Sequence, residues 1–207
     1  MELNDAITNR VMSREFLDKS IDIEVLNEVL KYSILAPRAG KTYGTKLLVL
    51  NKTPDIEDFW CLTSDKDWRE NTSLAKKLMA APVVIIPFAS RVAYIDRYSQ
   101  TDKIKSARNL PLDKDQDWPV PYWIVDTSFV TMLLLLKVHE VGLSALFFRL
   151  HHSGKPLSER FRVPKEWDPI GAIAIGYTNK NTVVKKTPID KRISNAYKEM
   201  VTWDLWS

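Results

Sequence analysis

Two short segments within the first forty residues carry the side chains best suited to bind a charged, planar ligand. Arg10 and Arg14 are four residues apart in the first segment, so a helix there would turn both guanidinium groups to one side. Two such groups can fork onto one phosphate through charge-assisted hydrogen bonds. On spacing alone, a solvated surface pair is the simpler interpretation.

The second segment, residues 36–40 (Ala-Pro-Arg-Ala-Gly), stops a helix with a proline and a glycine. Such a turn exposes backbone N–H and C=O groups that could read the polar edge of a flat ring, although a plain helix stop would look the same. Between the two segments, Asp22 caps a helix whose apolar residues recur at near-helical spacing through Leu35. We expect that helix to bring both segments to one place.

The other elements are predicted from apolar periodicity and from breaks at proline and glycine. Helices are expected over 2–9, 23–35, 73–79, 123–141, 156–161 and 192–200. Strands are expected over 46–50, 82–87, 143–150 and 170–175. Widely separated strands among helices indicate an α/β or α+β fold with three or four central strands. No repeat or linker divides the chain, so residues 1–207 are predicted to form one domain.

The predicted helix over 123–141 is apolar on nearly every side and holds four consecutive leucines at 133–136. A helix of this kind must be buried on every face. In a chain of 207 residues a dimer interface would provide that burial, so we expect a homodimer.

Residues 91–118 differ from the rest of the chain. They are rich in charge, hold no glycine and have few large apolar side chains after Ile104. This composition predicts irregular helix followed by a long loop. Because a loop of that length is usually functional or disordered, residues 99–118 are a candidate lid or insert.

Composition excludes several classes of protein. A net charge of +4 with scattered lysines and arginines suits an anionic cofactor but not nucleic acid. The single cysteine, Cys61, cannot form an internal disulfide, which indicates a reducing compartment. The polar N-terminus lacks a signal-peptide core, and the longest apolar run is about half of a membrane span. We therefore expect a cytoplasmic protein that binds neither nucleic acid nor membrane.

Several common motifs are absent. No two of the six glycines lie two residues apart, so the dinucleotide-binding fingerprint and the P-loop are both missing. No G-x-S-x-G elbow occurs, and three histidines with one cysteine predict no metal site. Lys185-Lys186 is a further basic pair, whose meaning depends on whether it meets Arg10 and Arg14 in space.

Taken in order, these segments resemble the nitroreductase-like flavoprotein family over nearly the whole chain. The resemblance rests on an R-R-x-x-R-x-F element near 10–16, an A-P-S-A-G turn at 36–40, the central strand at 81–85, a subgroup's approach to its interface helix at 118–126, a G-L-G strand at 142–148, the closing strand at 170–177 and a basic pair before Pro188. Each motif is weak singly, whereas the ordered set is specific.

This resemblance implies an α+β sandwich, with a central mixed sheet flanked by helices, and an intertwined homodimer that binds FMN at the subunit interface. The residues implied for the phosphate or ring edge are Arg10, Val11, Met12, Arg14, Lys185 and Lys186. Those implied to line the flavin from the same subunit are Pro37, Arg38, Ala39, Gly40 and Tyr43. Phe148 and Arg149 would place backbone near flavin N5, and Tyr122 and Trp123 would form part of a substrate pocket.

Four of these positions depart from the family pattern. Val11 replaces the usual second arginine, Arg38 a common serine, Tyr43 a frequent glutamine, and Arg149 a glycine or acidic residue. A cation beside the flavin would stabilise its reduced, anionic form and raise its potential. Alternatively, Arg38 and Arg149 would bind an anionic substrate.

The function that the resemblance implies is that of an FMN-dependent oxidoreductase. NAD(P)H, as a transient co-substrate, would donate a hydride to flavin N5 and be replaced, in ping-pong order, by a nitroaromatic, quinone or other conjugated acceptor. The cofactor carries this chemistry, so no side chain is expected to act as a catalytic acid or base. Two alternatives stay open: a specialised flavin-fragmenting or reductively dehalogenating relative, and a flavin-binding or sensing protein without turnover.

Overall fold

An antiparallel sheet lies at the centre of the structure, a computed structural model that describes residues 1–103, 105, 118–150, 154–179 and 189–204. Its strands are β1 (Thr45–Leu50), β2 (Val83–Ala89), β3 (Ser144–Phe148), β4 (Asp168–Pro169) and β5 (Ala172–Gly176). The order across the sheet is β1-β2-β5-β3, with β4 paired to β2. All of these strand pairs are antiparallel, so the expectation of a mixed sheet is wrong for these five strands. Within the described residues, the parallel pairing is an isolated bridge between Met12 and Ala145.

Helices surround the sheet. They are α1 (Leu3–Asn9), α2 (Ile23–Ser33), α3 (Thr53–Thr63), α4 (Lys66–Asn71), α5 (Ser73–Met79), α6 (Arg91–Tyr98), α7 (Tyr122–Glu140), α8 (Gly154–Arg160) and α9 (Ile189–Met200). As predicted, the Asp22 side chain caps α2, accepting a hydrogen bond from the Glu24 N–H at 2.7 Å. The sequence does not predict α3 and α4, which are short helices that depend on packing more than on their own propensity.

Each face of the sheet has its own core, because alternate residues of a strand point to opposite sides. Val84 and Ile86 of β2 lie in a core that α3, α5 and α8 cover. Val83 and Ile85 lie in the other core, against α2 and α7. Every residue of β2 is buried, which accounts for its uninterrupted apolar run. The expected sandwich of helices on both faces of a sheet is therefore confirmed.

Helix α7 is buried on one side only. Leu134 and Val138 pack in the core with α2, whereas Ile124, Phe129 and Met132 are exposed to between 42% and 45%. Within the described ranges α7 is the one helix long and apolar enough to cross a bilayer, although a helix in a protein core meets the same criteria. One chain thus leaves an apolar helix face uncovered, as the sequence predicted for an interface helix.

Candidate functional site

The segment that carries Arg10 and Arg14 is extended, not helical. Helix α1 ends at Asn9, and Arg10 already has extended dihedral angles. Met12 bridges to Ala145 of β3, and the Ser13 N–H donates to the Ala145 carbonyl at 2.9 Å. The helix ends where the sequence predicted, so the condition for placing the two arginines one helical turn apart is not met. In an extended segment they still share a side with Met12, but about 13 Å of backbone separates them.

Arg10 is a cation that the described part of the chain does not neutralise. The residue is half-buried, and its Nε and Nη1 atoms are buried without any hydrogen-bond partner. Leaving a charged donor buried and unpaired is costly. Arg14 is exposed, and no carboxylate among the described residues pairs with it. This edge of the sheet is thus prepared to receive an anion from outside the chain.

The same segment leads to an aromatic cavity at the far end of β3. The Phe16 N–H donates to the Lys77 carbonyl at 3.0 Å, and the Glu15 carboxylate pairs with Lys77 at 2.8 Å, which joins the segment to α5. Next to α5 lies a cavity of about 320 Å³, whose lining residues are Trp60, Thr63, Ser64, Asp65, Trp68, Leu78, Phe148 and Arg149.

The cavity wall is largely aromatic. Trp60 and Phe148 stack with ring centroids 5.5 Å apart and planes 7° apart, and Trp68 lies 6.2 Å from Trp60. Phe148 and Arg149 were expected at a ring-binding position, and the structure places both on this wall. The sequence does not indicate Trp60 and Trp68, because they reach the cavity from helices that lie far from β3 along the chain.

The second segment forms a rigid turn between α2 and β1. Residues Ala39–Lys41 make one 3-10 turn, with Gly40 at φ 64° and Lys41 at φ 58° in the left-handed region. A Cβ on Gly40 would lie 2.9 Å from the Tyr98 ring, so this position requires glycine for both backbone and space. A left-handed lysine is strained, which marks the turn as held in place by its surroundings.

The turn's backbone groups are largely bound within the chain itself. The Ala39 N–H donates to Asp126 Oδ2 at 2.6 Å, and Arg97 Nε donates to the Gly40 carbonyl at 2.9 Å. The Thr42 N–H and hydroxyl both donate to the Ala39 carbonyl. The sequence analysis expected exposed backbone groups here that could hydrogen-bond to the polar edge of a ring. That expectation is wrong for the Ala39 N–H, the Ala39 C=O and the Gly40 C=O. The turn instead presents side chains: Arg38 stacks over Tyr43, 4.4 Å from its ring centre, and Tyr43 is 78% exposed.

Asp126 is the buried anchor of this turn. It is 3% exposed and accepts hydrogen bonds from the Ala39 N–H and the Tyr94 hydroxyl on the same oxygen. Burial, and then the hydrogen bond to Asp126, raise the pKa of Tyr94 well above its usual range, so its hydroxyl stays a donor at neutral pH. In the sequence, Asp126 stands out only as the last residue of the motif at 118–126. Its role depends on a hydrogen bond to Ala39, which is 87 residues away along the chain.

The two residues expected at a substrate pocket belong with the turn. Trp123 packs edge-on against Tyr94 and Trp118. Burial, and then the charge of Tyr122, raise the pKa of Tyr98, whose ring faces Gly40. Tyr122 is 38% exposed. Together with Arg38 and Tyr43 they give the turn an aromatic, cationic surface.

One chain does not bring the two segments together. Met12 lies beyond β3, and the turn leads into β1 at the opposite edge, about 19 Å away at the usual strand spacing. They also lie at opposite ends of the strands: Ala145, beside Met12, is in register with Ile175 and Val83, whereas Thr45 pairs with Ala89 at the other end of β2. The expectation that one subunit lines a ligand with both segments is therefore wrong.

Some predicted features lie outside the described residues. These are Lys185 and Lys186, and most of the candidate lid over 99–118, of which 99–103, 105 and 118 are described. In the described ranges no group of three or more histidine, cysteine, aspartate or glutamate side chains is arranged to hold a metal ion.

Comparison with known proteins identifies relatives of this fold. The chain is 22% identical over 194 residues to a Methanothermobacter thermautotrophicus protein provisionally named NADH dehydrogenase/NAD(P)H nitroreductase, which covers 87% of this chain and 80% of the relative. A nitroreductase family protein from Clostridium difficile 630 superimposes over the whole of both chains with a TM-score of 0.70 at 18% identity.

An FMN-dependent nitroreductase from Clostridium difficile R20291 has a TM-score of 0.68 at 21% identity, over 99% of this chain and 100% of that one. At such identities, likeness to a solved structure establishes the fold alone. The sequence model of the nitroreductase family, however, matches residues 7–177, which is most of the chain, and this protein therefore belongs to the nitroreductase family.

Proposed function

We propose that this chain is an FMN-dependent NAD(P)H oxidoreductase that works as a homodimer. The observation that carries the proposal is Arg10, a half-buried guanidinium with two buried nitrogen atoms that lack a partner in the described chain. A phosphate would supply the missing acceptors and charge. Membership of the nitroreductase family and the names of its relatives support the same cofactor and reductant.

The residues along the β3 edge fit FMN from phosphate to ring. Arg10 would hold the phosphate, and Met12 and Arg14 would follow the chain of the cofactor on the same side of the extended segment. The ring would enter the aromatic cavity at Phe148 and Arg149. From Arg10 to Arg149 the edge spans about 20 Å, which is comparable to an extended FMN.

A second copy of the chain would complete the site. Ile124, Phe129 and Met132 of α7 form an exposed apolar face, and α9 exposes Ile193 and Met200. Pairing two chains through these surfaces would bury them. A twofold axis would also carry the partner's turn, with its Arg38 and Tyr43, towards the flavin edge that one chain leaves open, and would generate two equal sites.

The chemistry that FMN supplies when bound is two-electron transfer, with the balance R–NO₂ + NAD(P)H + H⁺ → R–NO + NAD(P)⁺ + H₂O for a nitro acceptor. The protein's own contribution is to bind and orient. Arg149 would favour added negative charge on the ring, and Trp60 and Phe148 would exclude water from its face. We also propose a cytoplasmic location, where a lone cysteine would remain reduced.

Purified protein is expected to be yellow and to release FMN on heating. Under anaerobic conditions, NADH or NADPH should bleach the flavin absorbance, and a nitroaromatic or quinone should restore it. A colourless protein that FMN cannot reconstitute would overturn the proposal. Bound FMN that neither nicotinamide bleaches would point to a flavin-binding protein without this turnover.

A further inference from the structure

Several backbone groups of the turn at Arg38–Tyr43 are already hydrogen-bonded within the chain. Ala39 N–H, Ala39 C=O and Gly40 C=O are all hydrogen-bonded to Asp126, Thr42 and Arg97. The Arg38 carbonyl accepts from the Lys41 N–H at 3.1 Å. Besides its remaining backbone groups, the turn offers another molecule the pair of side chains Arg38 and Tyr43.

In this pair Tyr43 is exposed and Arg38 half-buried, and both stand on a fixed backbone. Tyr43 is 78% exposed, yet Arg38 lies across its ring at 4.4 Å instead of extending into solvent. The backbone on which the pair stands is fixed by the buried carboxylate of Asp126 on one side and by Arg97 on the other. Arg97 is itself held by two hydrogen bonds to the Asp102 carboxylate, each 2.8 Å.

The charge of Arg38 is not used inside the described chain. No carboxylate among the described residues pairs with it, although Arg97 and Arg160 both have acidic partners. A guanidinium that stacks on a ring through its face keeps its N–H groups in the plane, where they can fork onto a carboxylate. The exposed Tyr43 and Tyr122 supply flat apolar surface beside it.

We infer that the acceptor reduced by this enzyme is an anionic, conjugated compound, whose carboxylate or similar group is bound by Arg38 while its planar part lies against the neighbouring aromatic side chains. The inference rests on the proposed function and adds to it a class of substrate. Asp126 and Arg97 are positioning residues in this account, because they fix the turn without touching the acceptor.

The test compares two probes that differ in charge but hardly in shape, 4-nitrobenzoate and 4-nitrobenzamide. Their kcat/KM values with NAD(P)H, and their dissociation constants by calorimetry, are measured on the FMN-loaded protein. Wild type is expected to favour the anion by about tenfold, the size of one hydrogen bond to a charged group. Arg38→Gln should remove the preference, and Arg38→Lys should keep part of it.

Lys52→Gln is the matched control, because Lys52 is exposed and the substitution changes net charge equally. It should leave the preference unchanged. Equal kcat/KM and equal binding of both probes by wild type would overturn the inference. A preference for the anion that survives in Arg38→Gln would also overturn it. In either case, turnover of 4-nitrobenzamide would still support the proposed function. If neither probe is reduced, the proposed function fails, and the calorimetric ratio alone still decides whether Arg38 selects anions.

Discussion

Replacing Arg10 with alanine is expected to weaken FMN binding by about 100-fold, the loss of roughly 3 kcal/mol of hydrogen bonding to a charged phosphate. The Nε and Nη1 atoms of Arg10 are buried and lack partners in the described chain, so a bound phosphate would supply their acceptors. Equilibrium dialysis or fluorescence titration of FMN against the apoprotein measures the change. The FMN affinity of Arg10→Lys should lie between those of wild type and Arg10→Ala, because lysine keeps the charge but cannot form two parallel hydrogen bonds to the phosphate.

The same substitution should affect the apoprotein in the opposite direction. Removing a buried, unpaired charge relieves a desolvation cost, so the melting temperature of the Arg10→Ala apoprotein should be equal to or above that of wild type. FMN should then stabilise wild type against heat far more than the variant. Arg162→Ala, which removes an exposed arginine far from Arg10 along the chain, is the control. An Arg10→Ala protein that binds FMN as tightly as wild type would reject the assigned phosphate site.

Replacing Asp126 with alanine should destabilise the protein by about 2–4 kcal/mol, because it leaves two buried donors, the Ala39 N–H and the Tyr94 hydroxyl, without an acceptor. Urea unfolding measures the loss. The turn would lose its anchor, so turnover should fall by more than FMN affinity does. Asp126→Asn retains an acceptor oxygen and should lose less on both measures.

A double substitution separates anchoring from general damage. Tyr94→Phe in the Asp126→Ala background removes one of the two unsatisfied donors, so the double variant should be less destabilised than the sum of the two single variants. Strict additivity would mean that the hydrogen bond between Tyr94 and Asp126 contributes nothing to stability.

Local pattern predicted the elements, whereas long-range contacts decided the site. The β-branched run at Val83–Ile86 can only be a buried strand, and it is the centre of the sheet. Spacing alone indicated only that Arg10 and Arg14 would share a side if a helix continued there, and it cannot reveal that Met12 pairs with Ala145, more than a hundred residues later. Likewise, the exposed backbone expected at Ala39 and Gly40 is occupied by Asp126 and Arg97, which no local rule connects to that turn.

The sequence of α7 predicted burial on every side, which a single chain does not provide. Its uniform hydrophobicity indicated burial on all sides, and one chain buries only the side that holds Leu134 and Val138. The same single chain separates the Arg10 segment from the Arg38 turn across the sheet. Both observations would follow from the proposed dimer, in which each site uses the Arg10 segment of one subunit and the Arg38 turn of the other.

Mixing two damaged subunits tests that central claim most directly. Arg10→Ala and Asp126→Ala proteins, each folded by circular dichroism and each inactive alone, are unfolded together and refolded. If every site draws on two chains, half of the dimers are mixed and each has one intact site, so about a quarter of wild-type turnover should return. If each site lies within one chain, every site keeps a lesion, and no recovery above the two separately refolded variants would contradict the account.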